Sequence, residues 1–189
     1  MDTYNRYPFS TKWSRDDAAA RLDFFLIPAG ASVLDVGCGD AWFAIELATR
    51  CHRVTGYESD PRLYQMAFEC LTASPAADVT LRQDRFIGQE HAEVMLVLSV
   101  LHRLPVQEGL AWLARILPSA ERSVCLELWL DDLPEFAKDD PLCRSWQQAR
   151  PALLGVLKKA GFTRPTVDRV LPGMRTTLLQ AWRWGKRPH

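Results

Sequence analysis

Two glycines one residue apart mark the stretch of this sequence richest in chemistry, Val33-Leu34-Asp35-Val36-Gly37-Cys38-Gly39-Asp40-Ala41-Trp42-Phe43-Ala44. An apolar, strand-like run enters the pair and a helix-like run leaves it, which lets backbone N–H groups approach a ligand at a helix N-terminus. A tight strand-to-helix turn also uses glycine for purely steric reasons. The next acid adds weight: about twenty residues on, Glu58 ends the following apolar run, where a carboxylate can accept hydrogen bonds from both hydroxyls of a ribose. The bland alternative for Glu58 is an exposed acid at a strand end. A dinucleotide-binding fingerprint wants a third glycine where Trp42 stands, so close packing of the helix on a pyrophosphate is excluded. Asp35 is likewise an awkward neighbour for a pyrophosphate and a good partner for an ammonium group.

The elements that must position these residues alternate between short β-like runs and longer helical ones. Ser14 caps a first helix with Ala18, Leu22, Phe25 and Leu26 on its apolar side, and Pro28 and Gly30 end it. Strands are expected at Ser32 to Val36, His52 to Tyr57, Val79 to Leu81, Val94 to Ser99 and Val124 to Leu130. Helices are expected from Trp42 to Thr49, after Asp60-Pro61, after Pro105 with Leu110, Leu113 and Leu117 on one face, and from Ser145 to a glycine cap at Gly161. Asp131 to Pro141 reads as an exposed acidic loop. Thr166 to Leu171 and Thr176 to Trp184, separated by Pro172-Gly173, form a hairpin. The fold class is α/β: a doubly wound, mostly parallel seven-stranded sheet with an antiparallel C-terminal strand and helices on both faces.

Composition sets outer bounds. With 189 residues, 48% of them apolar, the chain fits one domain over 1–189, a core from 14 onward with 1–13 as a leader. Twenty-three basic residues balance 23 acidic ones, which removes the bulk electrostatic case for nucleic acid or an anionic membrane. No signal-peptide or membrane-length apolar run occurs, and the five cysteines lack the spacing of a zinc site or a disulfide framework. A reduced, cytoplasmic protein without a bound metal is expected.

The motifs together resemble those of the class I S-adenosylmethionine-dependent methyltransferases. Val33 to Ala44 is similar to that family's first motif, Tyr57-Glu58-Ser59-Asp60 to its acidic second-strand motif, and Gln83-Asp84-Arg85 and Ser99-Val100-Leu101-His102-Arg103-Leu104 to the motifs after its third and fourth strands. The resemblance implies S-adenosylmethionine as cofactor. It places Asp35, Gly37 and Gly39 around the methionine part, Glu58 at the ribose, Asp84 and the Arg85 backbone at the adenine, and Ser99 and Leu101 below the sulfonium, with Cys38 and Ser59 also among the cofactor-binding residues. Two departures stand out: Ala41 replaces a frequent further glycine, at little expected cost on the helix side, and Phe86 to His91 is too short for the usual helix.

Methyl transfer from a sulfonium is chiefly a positioning problem, and positioning can supply roughly 7–11 kcal/mol of a barrier. An amine or hydroxyl acceptor also needs a base, a gain of about 10²–10⁴-fold. His102 is the candidate for that base, with a loop-shaping role as the alternative. Glu127, Asp131 and Asp132 either contact an acceptor or form a solvated acidic loop. Tyr4, Tyr7, Phe9 and Trp13 belong either to a lid or to an unstructured end. Trp112, Trp146 and Trp182-Arg183-Trp184 read as core and strand residues. The expected acceptor is a small molecule methylated on oxygen or nitrogen. An RNA or protein acceptor using the basic stretch from Arg144 onward, or a non-catalytic cofactor-binding subunit, are the alternatives.

Overall fold

A computed structural model describes residues 19, 21–50, 53–74, 78–128, 141–163, 165, 167–170 and 177–185. The strands are β1 (Ser32–Val36), β2 (Arg53–Tyr57), β3 (Val79–Arg82), β4 (Ala92–Leu98), β5 (Ala120–Leu128), β6 (Val167–Val170) and β7 (Thr177–Trp182). The helices are α1 (Trp42–Ala48), α2 (Pro61–Ala73), α3 (Val106–Ile116), α4 (Pro141–Gln148) and α5 (Arg150–Lys159). The seven strands form one sheet in the order β3-β2-β1-β4-β5-β7-β6. β7 runs antiparallel to both neighbours, and β1 to β5 pair in parallel. The order reverses between β1 and β4, and open α/β sheets bind ligands at the carboxyl ends of the strands flanking such a reversal.

Burial on both faces explains why the strands read as nearly continuous apolar runs. Leu34, Val36, Met95, Val97, Val124, Leu126 and Leu128 face a core shared with α3, α4 and α5. Val33, Val54, Val94, Leu96, Leu98, Cys125 and Leu178 face a second core with Leu22, Phe25, Ala44, Leu47 and Ala67. Period-two alternation therefore puts Asp35 and Glu127 on the second face, toward α1 and the segment that precedes β1.

The boundaries follow local chemistry. Asp60 caps α2, its carboxylate accepting from the N–H groups of Arg62 and Leu63 at 2.8 and 3.2 Å, with Pro61 in the first turn. Gly161, at φ +85°, ends α5: its N–H donates to Lys158 O and that of Phe162 to Leu157 O, both at 3.0 Å, the pair of bonds that closes a Schellman turn.

Three expectations are corrected. The expected helix from Ser145 to Ala160 is two helices, because Pro151 has no N–H to offer Gln147 and its ring collides with that carbonyl. β5 begins at Ala120 rather than Val124. The first helix, whose expected start lies outside the described residues, gives way to a turn after Leu22, and Leu26 is 52% exposed. The buried Gln180 amide takes over the Leu26 backbone there, accepting from its N–H at 2.9 Å and donating to its carbonyl at 3.1 Å. The aromatic leader, Asp131, Asp132 and the Pro172-Gly173 turn lie outside the described residues.

Candidate active site

The turn between β1 and α1 is built from three left-handed residues, Gly37 (φ +77°), Gly39 (φ +57°) and Ala41 (φ +64°). Gly37 N–H and Cys38 N–H both donate to Tyr57 O, at 2.8 and 3.0 Å, which ties the turn to the carboxyl end of β2. A Cβ on Gly37 would meet Val100 Cγ2 at 2.5 Å, whereas one on Gly39 would meet nothing within 4 Å, so Gly39 is the open side of the turn. Ala41 corrects the expectation of a cheap substitution: it is the N-cap of α1 in a conformation that costs a residue with a Cβ about 1–3 kcal/mol. Cys38 is buried against Gly56, and burial pushes its thiol well up, so it offers the site backbone rather than a nucleophile.

Acids converge on this turn. Glu58, 4% exposed, accepts from Gly39 N–H at 3.1 Å through Oε2 and from Asp60 N–H at 2.8 Å through Oε1, with Ser59 N–H a further backbone donor to the same carboxylate. Burial raises the Glu58 and Asp40 carboxyls above their usual range, against the backbone N–H groups that lower them. Asp35 is 2% exposed with Oδ2 unpartnered, and its carboxyl is pushed up to about 7, first by burial and then by the charges of Glu58 and Asp40. A buried, orphaned carboxylate oxygen beside two further acids is a site fitted to a cation. Ser59 is exposed next to Glu58; Asp84 and Arg85 are exposed just beyond β3, with Arg85 N–H donating to Asp84 Oδ1 at 2.7 Å.

Across the order reversal, Ser99 follows β4 at φ +56°. Its hydroxyl donates to Glu127 Oε2 at 2.6 Å and its carbonyl accepts from Arg103 Nε at 2.9 Å. Val100 then lies over Gly37, and a 3₁₀ turn over Leu101–Arg103 carries the buried Leu101 into the larger core. His102, 3% exposed, is buried in the same turn. Glu127 is neither a solvated acid nor open to an acceptor: it is 1% exposed and ion-paired with Arg21, itself 3% exposed, at 2.8 Å. The sequence carries one signal for this pair, a lone acid inside the apolar run Val124 to Leu130. Trp112, Trp146 and Trp182 are buried, whereas Trp184 is exposed.

Residues 11–167 match the family model for the methyltransferase domain. The chain belongs to that family. Solved methyltransferase structures share its fold. Magnesium protoporphyrin IX methyltransferase (ChlM) from Synechocystis PCC 6803, with bound SAM, superposes with a TM-score of 0.62 at 20% identity, over 89% of this chain and 76% of that one. The N-methyltransferase NodS from Bradyrhizobium japonicum WM9, in complex with S-adenosyl-L-homocysteine, gives 0.67 at 16% identity over 90% and 87%. Mitomycin 7-O-methyltransferase MmcR gives 0.69 at 18% identity over 90% and 54%. No curated protein matches this methyltransferase in sequence. No helix among the described residues is long and apolar enough to cross a membrane.

Proposed function

We propose that this methyltransferase, read as one domain, takes its methyl group from S-adenosylmethionine and passes it to oxygen or nitrogen of a small molecule. The observation that carries the cofactor reading is Asp35: a carboxylate 2% exposed, with one oxygen unpartnered, whose charged neighbours are Glu58 and Asp40. Asp35 would hold the cofactor's ammonium group, with the backbone of Gly37, Cys38 and Gly39 alongside. Glu58 and Ser59 would hold the ribose, and Asp84 with the Arg85 backbone the adenine. When bound, S-adenosylmethionine supplies a methyl carbon already activated by its positive sulfur. The chain's own contribution is to orient the acceptor and keep water away, the larger part of catalysis when no difficult proton transfer intervenes. The burial of His102 favours a loop-shaping role over proton transfer.

The small-molecule reading draws support from the named structural neighbours, which act on a porphyrin and on mitomycin by their own descriptions. Arg183, within the basic C-terminal stretch, spends its guanidinium on the carbonyls of Ala120, Leu117, Pro118 and Ala160, not on a surface that meets phosphates. The test is methyl-labelled S-adenosylmethionine offered with a panel of small phenols, carboxylates and amines, and separately with total RNA and total protein. Label is expected in small molecules. Label confined to RNA or protein would contradict the acceptor reading.

A further inference from the structure

The buried pair Arg21–Glu127 occupies an unusual place for an ion pair. It lies in the apolar layer beneath the segment that precedes β1, with Arg21 bridging to both Glu127 oxygens at 2.8 and 3.0 Å and lying 5.9 Å from the centre of the Phe43 ring on α1. Removing two charges from water costs more than their attraction returns in many proteins, and apolar residues of similar volume often serve stability equally well. Stability is therefore a weak reason for the pair. A second cost sits next to it: Ser99, one of two non-glycine residues at positive φ among the described residues, is held in the left-handed region.

The two costs are joined by one hydrogen bond, Ser99 Oγ to Glu127 Oε2 at 2.6 Å. From Ser99 the connection reaches the glycine turn directly, because the next residue, Val100, has its Cγ2 only 2.5 Å from where a Cβ of Gly37 would stand. The Arg103 Nε bond to Ser99 O fixes the same peptide from the other side. We propose that Glu127 is a positioning residue for the cofactor site: anchored by Arg21, it holds Ser99 in its left-handed conformation and so seats Val100 against Gly37. Glu127 itself touches no ligand. It acts at a distance of two side chains, from a strand whose contact with Arg21 spans 106 positions of sequence. The inference rests on the cofactor reading above.

The test is calorimetric binding of S-adenosylhomocysteine, alongside thermal melting, for four proteins. Wild type should bind; failure there would overturn the cofactor reading and this inference with it. The double variant Arg21→Met/Glu127→Leu replaces the pair by apolar volume, and should melt near wild type yet bind about tenfold more weakly, the low end for losing a hydrogen bond to a charged group. Adding Ser99→Gly, which adopts positive φ without a tether, should recover much of that loss. If the double variant does not fold, Ser99→Ala in the intact protein removes the same bond and should weaken binding to a similar extent. Wild-type affinity in a folded double variant or in Ser99→Ala, or no recovery on adding Ser99→Gly, would overturn the positioning role while leaving the cofactor reading intact.

Discussion

Asp35 is the residue at which the electrostatics of the site become measurable. Its carboxyl, pushed up to about 7 by burial and by Glu58 and Asp40, carries a proton in the folded chain at pH values where the unfolded chain has lost it. The stability this lends is fully present below the unfolded value of 3.8 and is lost as pH rises through about 7. A bound ammonium group reverses the preference, because it favours the ionised carboxylate. The affinity for S-adenosylmethionine should therefore rise by about tenfold between roughly pH 6 and pH 8, with proton release at the lower pH. Asp35→Asn should abolish that slope, weaken binding above neutrality and raise the ligand-free melting temperature there. Calorimetry in two buffers of different ionisation enthalpy checks all of this, and a pH-independent wild-type affinity would remove Asp35 from the ligand's ammonium. Asp35, Gly37, Gly39 and Glu58 were legible because they lie within one strand-turn-helix unit and at a fixed spacing to the next strand. The pairing of Arg21 with Glu127 and the contact of Val100 with Gly37 were not, because only the sheet order brings these residues together, and neither was the left-handed backbone of Ala41.

At the scale of elements, periodicity located the strands and most helices, and Asp60-Pro61 and Gly161 marked their ends for stated chemical reasons. One miss was decided by a contact remote in sequence and another by a proline inside an apolar pattern. Leu26 continues an apolar helical pattern, yet Gln180, 154 positions away, captures its N–H and carbonyl and ends the helix early. Pro151 was visible as a helix breaker, but the apolar pattern running through it, with Trp146 on one side and Leu153 on the other, concealed the division into α4 and α5. The Gln180 contact makes its own prediction. Gln180→Leu should leave the Leu26 backbone groups and the Ser123 hydroxyl without their partner and lower stability by roughly 1–3 kcal/mol, at about 2–4 °C of Tm per kcal/mol. A melt within error of wild type would show that water replaces the amide there.

At the scale of the whole molecule, the sheet order does what no single motif can. Reversal between β1 and β4 sets the glycine turn, Glu58 and the Ser99 turn around one crevice, while β7, antiparallel beside β5, closes the second core over Glu127. The family, the α/β class and the seven strands could be read from the sequence because each rests on local patterns in the right succession. The acceptor could not, since one scaffold serves many chemistries. The central claim is that the crevice belongs to S-adenosylmethionine. Its most direct test is thermal melting of the wild-type chain with S-adenosylmethionine, S-adenosylhomocysteine or NAD, each at saturating concentration. A ligand at a hundred times its dissociation constant adds about 2.7 kcal/mol, so either sulfur compound should raise Tm by about 5–10 °C while NAD leaves it unchanged. A melt raised by NAD and unmoved by both sulfur compounds would contradict the account.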